Sequence, residues 1–161
     1  MKDKLLKIFF YTLITFLVTS CSLKATEGAD KPSLVTLSLV ADEGMNPNIL
    51  GVGAPLEIKI FELADDSMFM SADFEQISND YEDILKSTYI KSYDYVLTPG
   101  QFKFVTEIEV SDETNYLAVI AYFSQPDLSE WKRSVKIVKK SRTYHMLVQF
   151  KGYDINLMKV E

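Results

Sequence analysis

The 161-residue chain holds one cysteine and one histidine, so the chemistry open to its side chains is narrow from the start. His145 stands inside an alternating apolar segment. A lone histidine there reads as structural, and no second histidine is present to complete a zinc site with it. The carboxylates cluster at Asp65-Asp66 and from Asp80 to Asp83, without the spacing of a calcium loop, and read as solvated helix termini. Paired carboxylates could serve glycoside hydrolysis, but the sequence indicates no cleft for them. There is no G-x-S-x-G, P-loop or dinucleotide fingerprint; Gly51-Val52-Gly53 follows a loop and opens a strand, too short for a phosphate cradle. These readings point away from an enzyme: no catalytic residue, no metal ligand and no cofactor are expected. Cys21 remains as the one reactive group. With no second cysteine it forms no intrachain disulfide, which leaves its thiol for covalent modification.

The residues around Cys21 say which modification. Lys2, Lys4 and Lys7 make a basic start, Ile8 to Val18 is an uncharged apolar run, and Val18-Thr19-Ser20 places small residues before the cysteine. This is the layout of a secretory signal peptide. The apolar run is short of the about 20 residues a spanning helix needs. V-T-S-C resembles the bacterial lipobox, whose peptidase cuts before the cysteine; the thiol then takes a diacylglycerol and the new amine a further acyl chain. Each buried methylene is worth about 0.8 kcal/mol, and more than one chain gives stable anchoring. We therefore expect residues 1–20 to be a signal peptide, Cys21 to be lipidated, and Ser22 to Pro32 (SLKATEGADKP) to be a flexible tether. Ser22 rather than aspartate after the cysteine favours the outer membrane over inner-membrane retention.

Cleavage removes three lysines and one aspartate, which moves the formal net charge from −6 to −8 over 141 remaining residues. An acidic chain of this kind is a poor nucleic-acid binder and a poor electrostatic binder of anionic lipid. Its length suits one domain with a real core.

Residues 33–161 read as an all-β, two-layer sandwich. Val35, Leu37, Leu39 and Ala41 alternate with Thr36, Ser38 and Val40; Leu56, Ile58 and Ile60 alternate with Glu57 and Lys59. Phe102, Phe104, Thr106, Ile108 and Val110 alternate with Lys103, Glu107 and Glu109. Asn115 to Phe123 is nearly all apolar, as in a central strand buried on both faces. Tyr89–Val96, Trp131–Lys139, Thr143–Phe150 and Tyr153–Val160 complete about eight strands. Residues 64–87 interrupt the pattern with Met68, Met70, Phe74, Ile77, Ile84 and Leu85 at helical spacings, which predicts one or two short helices on the sandwich edge. Asp66 or Ser67 could cap one and Ser71 another. Tyr89, Tyr93 and Trp131 could line a carbohydrate- or ligand-binding groove, although tyrosines in strands are commonly half-buried β formers. The 43–54 segment, EGMNPNILGVGA, is long for a hairpin connection. Its apolar residues Met45, Ile49, Leu50 and Val52 either fold back onto the domain or offer a contact surface.

The order of these features resembles the type VI secretion lipoprotein family TssJ, also called SciN. A lipobox and tether precede a first strand, then a loop with Asn46-Pro47 and Gly51. There follow P-L-E-I-K-I-F-E-L (Pro55 to Leu63), A-D-F (Ala72 to Phe74), L-T-P-G (Leu97 to Gly100), and Y-L-A-V-I-A-Y-F leading to Trp131 and Arg133. The resemblance implies a transthyretin-like β-sandwich with added helices, anchored in the outer membrane on its periplasmic side. It implies binding to the periplasmic C-terminal region of the inner-membrane protein TssM, within a membrane complex that also contains TssL. The loop between the first two strands would carry the contact. Here that is Met45, Asn46, Pro47, Asn48, Ile49, Leu50, Gly51 and Val52, with Met45, Ile49 and Leu50 as apolar anchors and the asparagines as hydrogen-bonding groups.

Overall fold

Nine residues, Ser33–Ala41, form strand β1, with Val35, Leu37, Leu39 and Ala41 on its buried face, and the strands that flank it build the first of two four-stranded sheets. The structure is a computed structural model that describes residues 31–137 and 141–160. After β1 come β2 (Leu56–Leu63), helices α1 (Ser67–Ser71), α2 (Phe74–Asn79) and α3 (Tyr81–Leu85), then β3 (Tyr89–Leu97), β4 (Phe102–Val110), β5 (Tyr116–Ala121), β6 (Lys132–Lys136), β7 (Thr143–Lys151) and β8 (Asp154–Val160). One sheet has the order β4-β1-β7-β8 and the other β3-β2-β5-β6. β1 runs parallel to β7, and the other neighbours are antiparallel. Between the sheets lies a core to which β1 gives Val35, Leu37 and Leu39, β2 gives Ile58 and Ile60, and β7 gives Met146 and Val148.

The helices pack on the outer face of the second sheet rather than on the sandwich edge. Phe61 and Leu63 of β2, with Ala118 and Ile120 of β5, turn outward and bury against Phe69, Ile77 and Leu85. Phe61 is the hub, edge-on to Phe69 at 5.9 Å and to Tyr81 at 5.3 Å between ring centres. This explains why β5 is apolar on both sides: Leu117 and Val119 serve one core, Ala118 and Ile120 the other. Helices this short do not persist alone and take their stability from the buried face. Their caps differ from the sequence expectation. Asp73, not Ser71, caps α2 in a reciprocal box with Gln76, and Asp80 caps α3 through Asp83 N. Asp66 precedes α1 but accepts from the Ser134 hydroxyl instead of capping the helix. Lys132 supplies the missing interaction at the other end of α1. Its ammonium donates to the carbonyls of Phe69 (3.0 Å), Met70 (2.7 Å) and Ala72 (2.6 Å), where helix carbonyls lack partners. Burial pushes the pKa of this ammonium below its ordinary value.

β4 changes face part-way. Its register with β1 shifts between Val35 and Leu37, and Glu107 takes a left-handed φ of 49°, the signature of a bulge. Ile108 and Val110 point inward as expected. On the other side of the bulge the parity inverts, so Phe102 and Phe104 face solvent and Lys103 lies opposite the buried Leu39.

Candidate functional site

The segment joining β1 to β2 leaves the sandwich at the end opposite Lys31, where the described chain begins. The nine residues of β1 separate the two ends by about 27 Å. Its base is tied down at three points. Met45 inserts into the inter-sheet core and is fully buried. Asn46 is buried and takes a φ of 49°, a region asparagine tolerates. Its backbone N–H donates to Gly152 O at 2.7 Å, its side-chain amide donates to Pro55 O at 2.9 Å, and its side-chain oxygen accepts from Ser124 N at 2.8 Å. One residue thus joins β2, the β5–β6 connection and the β7–β8 turn. The Tyr153 hydroxyl then donates to Pro47 O at 2.7 Å.

Above this base the loop closes on Asn48. Its side-chain oxygen accepts from Leu50 N and Val52 N, and its backbone carbonyl accepts from Gly51 N at 2.8 Å. Gly51 has a φ of 76°, which suits glycine, and closes the turn. At Gly53 a side chain is excluded: a β-carbon there would lie 2.2 Å from Glu43 O. The outcome is a hydrogen-bonded loop whose tip holds Ile49, 95% exposed, and Leu50, 80% exposed, with Val52 also exposed.

Of the eight loop residues named from sequence, the structure gathers Asn48, Ile49, Leu50, Gly51 and Val52 at the exposed tip, and Pro47 is half-buried below them. Two differ. Met45 was expected to be an exposed anchor; it is a core residue because the chain must turn inward to meet β2, and its flexible side chain fills the space between the sheets. Asn46 was expected to offer hydrogen bonds outward; both ends of its side chain are engaged within the domain. Leu128, in the short helical turn Pro126–Leu128, was missed and is exposed at the same end. Its signal was a single apolar residue within a polar connection. Replacing Asn46 with alanine removes two buried hydrogen bonds and places a β-branchless but less tolerant residue at positive φ. We expect a loss of about 2–3 kcal/mol in stability by urea denaturation.

The other candidates do not assemble. Tyr93 faces the inter-sheet core and Tyr89 the helix-covered side, while Trp131 stacks edge-on against Phe74 at 5.2 Å. These three side chains therefore line no common groove. His145 is exposed on β7, and among the described residues no group of three or more His, Cys, Asp or Glu side chains could hold a metal ion. Cys21 lies outside the described residues. No described helix is long and apolar enough to cross a membrane.

A family profile described as "Type VI secretion lipoprotein, VasD, EvfM, TssJ, VC_A0113" matches residues 33–153. The chain belongs to this type VI secretion lipoprotein family. Its fold is shared with solved members. The T6SS lipoprotein TssJ1 from Pseudomonas aeruginosa superposes with a TM-score of 0.76 at 23% identity, covering 81% of this chain and 98% of that one. Serratia marcescens Lip, described as a membrane bound component of the type VI secretion system, gives 0.69 at 25% identity, covering 81% and 99%. A chain from a structure described as the T6SS protein TssM C-terminal domain from EAEC gives 0.64 at 22% identity, covering 79% and 98%. No curated protein matches the chain. The family match spans β1 to the β7–β8 turn, so the β1–β2 loop and every strand that pins it belong to this type VI secretion lipoprotein scaffold.

Proposed function

We propose that this lipoprotein tethers a trans-envelope secretion complex to the outer membrane, through acyl chains on Cys21 at one end and the β1–β2 loop at the other. Residues 1–20 act as the signal peptide and residues 21–32 as lipidated cysteine and tether. The loop binds the periplasmic C-terminal region of a TssM-like inner-membrane protein, in a membrane complex that includes TssL. The observation that carries this reading is the hydrogen-bonded loop with its apolar tip held at the end of β1 remote from Lys31, where the described chain begins. A preformed loop lowers the ordering entropy of association, and each exposed Ile or Leu side chain that becomes buried contributes about 1.5–3 kcal/mol. The role is mechanical: binding and attachment, with no reaction.

The anchor is tested by Cys21→Ser in the full chain. We expect the protein to be exported and folded but to leave the outer-membrane fraction for the soluble periplasmic fraction. Fractionation unaltered by the substitution sinks the lipid anchor. The partner is tested by titrating the lipoprotein with the periplasmic C-terminal region of the cognate TssM; absence of binding sinks the tethering role.

A further inference from the structure

We propose that the outer face of the β4-β1-β7-β8 sheet is a second contact surface for the same periplasmic partner, an inference that rests on the loop reading above. The strand registers place Phe104, Ser38, Leu147 and Met158 in one row across the four strands, and Phe102, Val40, Gln149 and Asn156 in the next. None of the eight is charged, in a chain where a quarter of all residues are Asp, Glu, Lys or Arg. Phe102 is 61% exposed and Phe104 55%, and Met158 is also exposed. The opposite sheet has its outer face covered by the helices; no described element covers this one. Around its loop end is a rim of Asp42, Lys151 and Asp154, bordering an open depression of about 470 Å³. An aromatic and methionine centre free of charge inside a charged rim is the anatomy of a protein interface.

Area decides the occupant. Four strands about 4.8 Å apart and about seven residues long present roughly 450 Å². Two copies meeting face to face would bury about twice that, below the about 1,200 Å² at which specific interfaces begin. The loop tip is also too small alone: residues 48–52 are exposed, against the roughly 20–30 residues a standard interface uses per side. Together they bring eight face residues and five tip residues onto one surface, nearer that size than either alone, and they adjoin. Ala41 N donates to Gln101 O at 2.9 Å, one residue before Phe102, and the Glu43 carboxylate lies against Gly100. The free edge of β4 is not the attraction. Lys103, which lies opposite the buried Leu39 with its ammonium 5.6 Å from the Tyr95 ring centre, and the bulge at Glu107 are devices that oppose strand addition. The partner therefore lies on the face.

The test is titration of the mature lipoprotein in lipid nanodiscs with the periplasmic C-terminal region of the cognate TssM. Wild type is compared with Phe102→Ser/Phe104→Ser, with Met158→Lys, and with Ile49→Asp/Leu50→Asp. We expect both face variants to weaken Kd at least tenfold with thermal midpoints unchanged, since all three face positions are exposed. Face variants within twofold of wild type, beside a loop variant that has lost binding, overturn the inference and leave the tethering role intact. Weakened face variants beside an unaffected loop variant remove the loop and overturn the inference, because the face was argued as an extension of the loop site. Loss of self-association in the face variants with Kd unchanged overturns the inference in favour of a second copy of this chain. No binding by wild type overturns both readings.

Discussion

Ile49→Asp combined with Leu50→Asp is expected to weaken binding of the TssM periplasmic region by about a thousandfold or more while the domain stays folded. Both side chains project from the tip, 95% and 80% exposed. Burying the native pair against a partner contributes about 3–6 kcal/mol, and about 1.4 kcal/mol corresponds to each tenfold in Kd. Two carboxylates add the desolvation of unpaired charge on top of that loss. The loop itself survives, because the backbone bonds that shape the tip run to Asn48 rather than to either side chain. Exposed substitutions of this kind shift stability by about 0.5 kcal/mol or less. Titration calorimetry and a thermal melt on the same sample check both halves, and undiminished affinity removes the loop from the site. Met45→Ala is the internal contrast: three residues before the tip in the same loop, it empties a fully buried position and should lower stability by about 2–5 kcal/mol.

That contrast marks where sequence reading succeeds and stops. Alternation of period two placed β1 and β2 and assigned Val35, Leu37, Leu39, Ile58 and Ile60 to the core, because side-chain direction in a strand follows from position alone. The doubly apolar run around β5 announced burial on both faces, although what covered its second face, a layer of helices, was not legible. In the loop no period applies. Met45 and Ile49 look alike as apolar residues between strands, and only the path of the backbone sends one inward and the other outward. β4 shows the same limit inside a strand. The alternation read from Phe102 to Val110 passes over a break, apolar Val105 followed by polar Thr106, beside a bulge at Glu107, a residue with no sequence mark of positive φ, and the bulge turns two phenylalanines to solvent. The caps of the helices failed for a related reason: Ser71, Asp73 and Asp66 are all competent acceptors, and the contact of the helices with β2 and β6 decided among them.

Glu62 was passed over as one more polar position in β2, yet it is expected to be a residue whose loss the fold tolerates poorly. It is fully buried. Its carboxylate accepts from Tyr93 OH at 2.6 Å, from Ser111 N at 2.9 Å and from Thr114 Oγ1 at 2.7 Å, so it joins β3 and the β4–β5 connection to β2. Burial first, and then the bond to Glu62, raise the Tyr93 phenol above its ordinary pKa, which keeps it a donor. Glu62→Leu fits the space but strands three donors in the interior, and with each buried donor left unsatisfied costing about 1–3 kcal/mol a loss of about 3 kcal/mol or more is expected. Glu62→Gln should lose much less, about 1–2 kcal/mol. Its amide oxygen can still accept from Ser111 N and Thr114 Oγ1, while its amide nitrogen meets Tyr93, whose hydroxyl can turn to accept. Urea denaturation of the two variants checks the order. Equal losses would mean that the negative charge matters rather than the shape of the acceptor set, and no loss in the leucine variant would mean that the three donors find other partners. In either variant that remains folded, affinity for the TssM region should match wild type. Glu62 lies at the end of β2 away from the loop tip.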